Sequence, residues 1–341
     1  MTGPSERPDP SDGATYAGGR PVPVLLDVDT GVDDACALLL AARHPGLDLR
    51  AVTCVAGNAD VDQVVRNTLI VLEAAGRPDV PVARGAERPL LEPARPARHV
   101  HGDDGMGDLG RPAPIGAPDP RHAVVLLRDV LLDAGARGRP ITLVPLAPMT
   151  NVALLLRTFP AAAAGLARIV FMGGSGAIGN ATAAAEFNVW HDPEAAAVVL
   201  DAAATLGVPV TMYGLDVFGA VRVGLAAARE LAARADPAAR LAGELIDFQC
   251  RRFGTQDATI GDAGAVCAVA DPGGLRTRRL PVRVELAGTW TRGQTVVDQR
   301  IEGLDLAHDP HGIASTLVDV AVGVDAPRFA DLWLDAVRGI G

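Results

Sequence analysis

Strand-like apolar runs alternate with helical patterns along most of this chain of 341 residues. A run at residues 21–27 precedes a helical pattern at 34–44, and a second run at 47–55 precedes a helical pattern at 61–75. Strands that alternate with helices in this way form parallel βαβ units, and the helices cover both faces of the sheet. The sequence therefore predicts an α/β fold with a mostly parallel, Rossmann-like open sheet flanked by helices.

The later part of the chain continues the alternation and adds a different motif. Two strand-like runs at residues 281–297 flank Thr291-Arg292-Gly293, a pattern that is typical of a small β-hairpin. We see no internal repeat or long linker, so a single domain is expected over residues 21–341. The other predicted strands are residues 141–145, 168–172, 208–213 and 315–324, and the other predicted helices are residues 150–157, 193–204 and 327–337.

The composition narrows the classes of function. The net charge is −10, which argues against a nucleic-acid partner because phosphate backbones bind basic surfaces. The chain has no lysine, which excludes Schiff-base chemistry and the lysine of a P-loop. Residues 1–20 are rich in Pro, Gly, Ser and Asp and lack the apolar stretch of a signal peptide, so we predict a disordered tail. No apolar run reaches the length of a membrane span, and we expect a cytoplasmic protein without a membrane partner.

Polar residues follow several predicted strands at the point where each strand ends. Asp27 and Asp29 end the first strand, Asn58 follows the second, and Leu146 and Met172 lie at the ends of two later strands. In an open α/β sheet, ligands bind in the crevice beyond the carboxyl ends of the strands. The topology therefore predicts one shared ligand site at this edge of the sheet.

Residues 27–34, with the sequence DVDTGVDD, hold four carboxylates within eight positions. Carboxylates at this spacing repel one another and raise one another's pKa, and a bound cation removes this cost. The candidate ligands are oxygens, with no Cys or His at metal-binding spacing, so calcium or magnesium fits and zinc does not. One alternative is an acidic turn with solvated carboxylates. Another is the Asp nucleophile motif of haloacid dehalogenase phosphatases, against which the missing lysine counts.

Several separated motifs together resemble those of the inosine-uridine-preferring nucleoside hydrolase family. One such motif would be weak, but this many in the same order is specific, and the resemblance covers roughly residues 21–340. The matching segments are residues 27–34, 52–58 (VTCVAGN), 101–107 (HGDDGMG), 145–151 (PLAPMTN), 172–174 (MGG), 179–180 (GN), 185–188 (AEFN), 192–196 (DPEAA), 262–263 (DA) and 291–293 (TRG).

The resemblance implies an enzyme that hydrolyses the N-glycosidic bond of a ribonucleoside, or of a close N-ribosyl analogue, to ribose and free base. It implies that calcium is held by Asp29, Asp34, Asp262 and the backbone carbonyl of Leu146. Asp29 would also be the general base that deprotonates a calcium-bound water, and Asp27 would lie behind these ligands. The family further implies a role in purine or pyrimidine salvage and a homodimer or homotetramer.

The resemblance also implies a set of ribose contacts, some of which have simpler interpretations. Asn58 could equally be a turn or cap residue, and Met172 alone would be assigned to the core. Glu186 and Asn188, two positions apart in a stretch that we predict to be extended, would point the same way. Asp192 is predicted to cap a helix rather than to bind a ligand. The implied ribose contacts are Asp33, Asn58, Met172, Asn180, Glu186, Asn188 and Asp262.

The chain departs from the family at residue 261. Many relatives place a His before the late metal-binding Asp, and purine-specific relatives place a Trp there, but this chain has Gly261. Neither way of assisting the departing base carries over. His101 could bind or protonate the base, or only tie down its loop. Phe248 and Phe253 could stack on the base, although core packing is the better interpretation for at least one of them. The alternative function is a ribose- or nucleoside-binding homologue with weak or no hydrolase activity.

Overall fold

Nine strands form one sheet at the centre of the computed structural model, in which residues 19–300 and 316–340 are described. Two further strands pair in a small separate sheet. The strands are β1 (Val22–Val28), β2 (Leu47–Cys54), β3 (Val82–Arg84), β4 (Ile141–Pro145), β5 (Leu166–Met172), β6 (Val210–Tyr213), β7 (Arg222–Gly224), β8 (Asp257–Thr259), β9 (Leu275–Val284), β10 (Thr295–Val297) and β11 (Thr316–Val324).

The strand order in the main sheet is β10-β9-β11-β6-β5-β4-β1-β2-β3. All neighbours from β3 to β11 are parallel, whereas β9 runs antiparallel to both β11 and β10. The predicted α/β class with a mostly parallel open sheet is confirmed. The predicted hairpin is confirmed as β9 and β10, and β9 begins at Leu275 because it pairs with β11 along most of its length. The small sheet of β7 and β8 was not expected.

Helices cover both faces of the sheet, and each face has its own apolar core. Val24, Leu26 and Val28 of β1 enter one core, while Leu25 enters the other, as the alternation of side chains along a strand requires. The helices are α1 (Val32–Arg43), α2 (Val61–Ala74), α3 (Arg98–His101), α4 (Ala123–Ala136), α5 (Thr150–Thr158), α6 (Phe187–His191), α7 (Pro193–Leu206), α8 (Leu215–Phe218), α9 (Leu225–Ala232), α10 (Pro237–Phe253), α11 (Ala263–Ala270) and α12 (Ala326–Arg338).

Helix α1 begins two residues earlier than predicted. The backbone N–H of Gly31 donates to Oδ2 of Asp34 at 2.9 Å, which closes the first turn around Val32. Asp33 and Asp34 therefore lie within the first turn, where the exposed N–H groups of a helix favour negative charge. The start of the helix thus holds both carboxylates at the end of β1.

Three further predictions concern a helix cap, the N-terminal tail and membrane spans. Asp192 caps α7, as predicted, by accepting a hydrogen bond from the N–H of Ala195 at 3.0 Å. The predicted disordered tail lies outside the described residues except for Gly19 and Arg20. Within residues 19–300 and 316–340, none of the helices has the length and apolar character needed to cross a bilayer.

Candidate active site

The carboxyl ends of the parallel strands border a cavity of about 350 Å³. Asn58 reaches it from the loop after β2, Leu146 follows β4 and Met172 ends β5. Asp33 comes from the first turn of α1, and Asp262 directly precedes α11. Because parallel strands end at the same edge, the topology brings these distant residues together, as predicted. The predicted site residues that line the cavity are Asp33, Asn58, His101, Leu146, Met172, Asn180, Glu186, Asn188 and Asp262.

Three carboxylates lie close together, and two of them, Asp33 and Asp262, line this cavity. Asp33, Asp34 and Asp262 each offer one oxygen, and these oxygens all lie within 4.8 Å of one another. Asp34 and Asp262 are buried, and Oδ1 of Asp33 is buried without a hydrogen-bond partner. Asp33, predicted as a ribose contact, therefore lies beside two residues predicted to bind a cation.

Asp29 and Asp34 do not line the cavity but are joined to it through Asn58. The backbone N–H of Asn58 donates to Oδ2 of Asp29 at 2.7 Å, and its Nδ2 donates to Oδ1 of Asp29 at 3.1 Å. The same Nδ2 donates to Oδ2 of Asp34 at 3.3 Å. Asn58 therefore fixes the orientation of the Asp29 carboxylate, which is not part of the close group of three.

Burial and mutual repulsion raise the pKa of these acids. Burial is the largest cause at Asp34, where the pKa rises to about 7 and the charge of Asp33 adds to the effect. Burial also raises the pKa of Asp29 and Asp262 well above the usual carboxyl range, and neighbouring carboxylates contribute further. No positively charged side chain in the described part of the chain is among the causes that act on these three acids. The group therefore needs a positive charge to ionise fully.

The donor set fits a hard divalent cation. The close groups are carboxylates, and Leu146, whose carbonyl accepts a hydrogen bond from Nδ2 of Asn188 at 2.9 Å, lines the same cavity. Calcium and magnesium prefer such oxygen ligands, whereas a zinc site would use thiolate or imidazole. The unpartnered Oδ1 of Asp33 is a further oxygen available at this point.

Glu186 and Asn188 lie at the start of helix α6, so the prediction of an extended stretch was wrong. Glu186 caps this helix: Oε1 accepts from the N–H of Asn188 at 2.9 Å, and Oε2 accepts from Val189 at 3.1 Å and Gly174 at 2.9 Å. Nδ2 of Asn188 also donates to the carbonyl of Met172 at 3.2 Å. The two side chains share the cavity because a cap and the first turn of its helix lie close together. Burial raises the pKa of Glu186 to about 7.

Asn180 and His101 line the cavity from surface segments. Oδ1 of Asn180 accepts from the N–H of Phe187 at 2.9 Å, which ties the loop after β5 to α6. Nδ1 of His101 accepts from the N–H of Val32 at 3.2 Å and lies 3.7 Å from Oδ1 of Asp33. Burial lowers the pKa of His101. His101 therefore binds the start of α1 and faces the cavity, so both interpretations of this residue have support.

Gly261 adopts a left-handed conformation that leaves no room for a side chain. Its φ is +52°, and a Cβ built there would lie 2.8 Å from Cζ of Phe218 and 2.7 Å from Cβ of Asp33. Phe218 lines the cavity and fills the space that a larger residue at position 261 would need. The backbone conformation at position 261 and the position of the Phe218 ring therefore both favour glycine there.

The aromatic residues at the cavity differ from the predicted ones. Phe253 is 57% exposed, and Phe248 packs against the core and beside Gly107, so neither lines the cavity. Core packing was the correct interpretation for Phe248. The cavity is instead lined by Phe187, Trp190 and Phe218. Phe187 belongs to the AEFN motif, and Phe218 follows the carboxyl end of β6, so the position rule for strand ends could have indicated it.

Asp27 lies below the site and supports it. Its Oδ1 accepts from Oγ1 of Thr53 at 2.6 Å and from Nδ2 of Asn151 at 2.8 Å. The same Nδ2 donates to the carbonyl of Cys54 at 3.0 Å, so Asn151 ties β1 to β2. Burial raises the pKa of Asp27 to about 7. These contacts agree with the predicted place of Asp27 behind the cavity.

The fold and the cavity define an α/β enzyme whose site presents carboxylate and amide groups to a small polar ligand. Comparison with known proteins makes this more specific. The chain belongs to the family described as inosine-uridine preferring nucleoside hydrolase, whose sequence profile matches residues 24–331. Its enzyme class is therefore that of hydrolases acting on N-ribosyl compounds, as the resemblance in the sequence implied, and not that of the phosphatases.

Individual relatives and solved structures agree with this assignment. The chain is 39% identical over 322 residues to a pyrimidine-specific ribonucleoside hydrolase, RihA, from Salmonella gallinarum, which covers 93% of this chain and 98% of the relative. A RihA from Escherichia coli is 37% identical over the same length and the same shares of both chains. An inosine-guanosine nucleoside hydrolase superposes with a TM-score of 0.83 at 30% identity, covering 93% of this chain and 99% of the other. A purine-preferring ribonucleoside hydrolase from Gardnerella vaginalis has a TM-score of 0.81 at 29% identity, covering 93% and 98%.

Proposed function

We propose that this chain hydrolyses the N-glycosidic bond of a ribonucleoside, or of a close N-ribosyl analogue, with calcium bound at the acidic group and Asp29 as general base. The observation that carries this proposal is the close group of Asp33, Asp34 and Asp262, of which Asp33 and Asp262 line the same cavity as Glu186 and Asn188. Carboxylates without a counter-charge suit a cation, and converging amide and carboxylate groups suit the hydroxyls of a sugar.

The proposed calcium ligands are Asp29, Asp34, Asp262 and the carbonyl of Leu146. A bound divalent cation would lower the pKa of a water molecule and hold vicinal ribose hydroxyls. The oxygen donors, their burial and the raised pKa of all three acids support this assignment. Asp33 is also close enough to the group to serve either the cation or the ribose.

Asp29 is the proposed acceptor of the proton of the attacking water. Two hydrogen bonds from Asn58 hold its carboxylate in one orientation, which suits a group that must meet a proton at a defined place. As the water adds to C1′, the bond to the base breaks through an oxocarbenium-like transition state. The electron pair of that bond leaves with the base.

The proposed ribose contacts are held by the backbone around them. Glu186 and Asn188 each make several hydrogen bonds to main-chain groups, so their remaining polar capacity is presented in a fixed geometry. A site built to pair sugar hydroxyls rejects analogues that lack them by a large factor. Asp33, Asn58, Asn180 and Asp262 are the other proposed polar contacts, and Met172 is proposed to pack against the ribose.

The names of the relatives do not indicate one base for this chain, because they include pyrimidine-specific and purine-preferring hydrolases. The proposed role of His101 is to bind the base through Nε2, because Nδ1 accepts from Val32. A cytoplasmic location and a homodimer or homotetramer stay predictions.

The test is release of ribose from a panel of purine, pyrimidine and pyridine ribosides, with calcium, with magnesium or with a chelator. We expect release with calcium, loss with chelator and recovery when calcium is restored. Asp29→Ala should abolish turnover and keep the fold, while Asp331→Ala, at an exposed position of α12, should keep full activity. Binding of ribosides without ribose release from any of them would favour the binding homologue, and a fully active Asp29→Ala would exclude the proposed base.

A further inference from the structure

The part of the cavity next to Gly261 is aromatic. Phe218 fills the space beside Gly261 and lies on the same cavity as Asp33 and Asp262. Phe187 and Trp190, with ring centroids 6.2 Å apart, line this cavity as well. An acid carried by residue 261 is excluded by the left-handed backbone and by the ring of Phe218. A base bound beside Gly261 therefore meets the ring of Phe218 and no proton donor from residue 261.

Three polar side chains lie near the base side of the cavity, those of His101, Arg95 and His99. The N–H of Val32 occupies Nδ1 of His101, which leaves its Nε2 to face a ligand. The guanidinium of Arg95 lies 5.1 Å from the centre of the Trp190 ring and pairs with Glu92 at 3.2 Å. His99 is exposed. None of the three is among the nearest neighbours of a Cβ built at residue 261, which belong to Asp33 and Phe218.

The charge of the site favours a positively charged ligand. Five carboxyl groups lie in or directly behind the cavity, and Arg95, the arginine on its lining, is paired with Glu92. Aromatic ring faces also attract cations, most strongly where water is excluded. The five groups are those of Asp29, Asp33, Asp34, Glu186 and Asp262.

We infer that the preferred substrate is an N-ribosyl compound whose base is joined to C1′ through a positively charged ring nitrogen, as in an N-ribosylpyridinium, and that Phe218 contacts that base. The inference rests on the proposed hydrolase function and adds the class of leaving group.

The proton balance explains why such a substrate suits this site. The water oxygen bonds to C1′, the C1′–N bond breaks, and its electron pair neutralises the ring nitrogen. Asp29 takes the proton of the water and passes it to solvent, so the departing base needs no proton. A neutral nucleoside differs, because its base must gain a proton as it leaves.

Four probes in calcium buffer separate the possibilities: nicotinamide riboside, uridine, inosine and 4-nitrophenyl β-D-ribofuranoside. The nitrophenyl group is uncharged in the substrate and departs as the stable nitrophenolate anion without needing a proton, so this compound tests the ribose side and the attacking water. We expect kcat/KM for nicotinamide riboside to exceed that for uridine and inosine by about tenfold or more. Its kcat/KM should also stay level as the pH rises from 7 to 9, whereas turnover of neutral nucleosides should fall.

Variants of Phe218 test the ring itself. Phe218→Leu keeps an apolar side chain but removes the aromatic ring, and it should lower kcat/KM for nicotinamide riboside about tenfold, with less than about threefold change for the nitrophenyl riboside. Phe218→Tyr keeps the aromatic ring and should retain most of the activity that Phe218→Leu loses. Phe253→Leu, at an exposed position outside the cavity, is the matched control and should change nothing.

Several results would overturn the inference. Uridine or inosine with a kcat/KM equal to or above that of nicotinamide riboside would do so, and so would an equal loss on all four probes in Phe218→Leu. In both cases, cleavage of the nitrophenyl riboside would leave the proposed hydrolase function intact. No ribose release from any probe would overturn both.

Discussion

The ribose side and the base side of the cavity are built in different ways. Glu186 and Asn188, proposed to meet the ribose, are buried and bonded to main-chain groups around the ends of β4 and β5. On the base side, Arg95 and His99 are exposed and come from a surface loop and the short helix α3. Side chains fixed by a sheet edge keep the same positions whichever substrate binds, whereas loop residues can be substituted without disturbing the sheet. The ribose side should therefore control whether the reaction occurs, and the base side should control which base is accepted.

The largest expected effect is on the ribose side. Asp262→Ala removes a proposed cation ligand and should lower kcat/KM at least about 10³-fold for every ribosyl substrate, because charge stabilisation and sugar binding are lost together. Calorimetry should show weaker calcium binding in the same variant. Asp201→Ala, exposed on α7, serves as the control. A loss confined to one base would break the division between the two sides.

A smaller effect concerns His191, whose ring centroid lies 5.3 Å from that of Phe187. Both ring nitrogens are buried without partners, and burial, assisted by the charge of Arg95, lowers its pKa to about 4. Between pH 6.5 and 4 the unfolded chain binds this proton and the folded chain does not, so unfolding becomes easier as the pH falls. The contribution is about 3 kcal/mol at most.

His191→Leu removes this titration and should flatten the pH dependence. Urea unfolding of both proteins at pH 7 and pH 4.5 measures it, and the wild type should lose more free energy of unfolding than the variant over that interval. Equal losses would mean that the imidazole is protonated in the folded protein.

Gly261 and Gly254 form a matched pair for the next effect. Both have positive φ, +52° and +67°, but a Cβ on Gly254 would meet nothing within 4 Å. Gly254→Ala should therefore cost only the backbone strain of about 1 kcal/mol, and Gly261→Ala should cost about 2 kcal/mol more because Phe218 and Asp33 must move. Thermal unfolding of the two variants tests this. Equal losses of stability in the two variants would show that Phe218 moves aside at little cost in free energy. The base side of the cavity would then be less rigid than we infer.

The smallest expected effect is at Arg252 of α10, which donates to the carbonyl of His99. Arg252→Ala should loosen the exposed rim and change kcat/KM for any one riboside by less than about threefold, without altering the response to calcium. Arg251→Ala, the exposed neighbour on α10, is the control. A large loss of kcat/KM for all substrates would show that the rim held by Arg252 is needed for every reaction and does not act on the base alone.

Much of the fold and of the acidic half of the site followed from the sequence. The alternation of strand and helix patterns predicts the parallel sheet, and the acidic run and the Asp262 motif predict which side chains gather at its edge. These predictions succeed because hydrophobic periodicity is local and because all parallel strands end at one edge. The extended stretch assigned to Glu186 and Asn188 failed, since a short helix capped by its own glutamate has little periodicity to read.

Only the tertiary structure decided what faces the departing base. The sequence shows that Gly261 lacks a side chain, but it does not show that Phe218, at the end of helix α8, takes that space. Nor does it show that Phe253 points away from the cavity and that Phe187 and Trp190 line it. Contacts between segments far apart in the chain depend on how loops cross the sheet edge, and local patterns carry no record of those crossings. The sequence motifs therefore predict the group of carboxylates, whereas only the packing of distant segments decides that Phe187, Trp190 and Phe218 line the cavity.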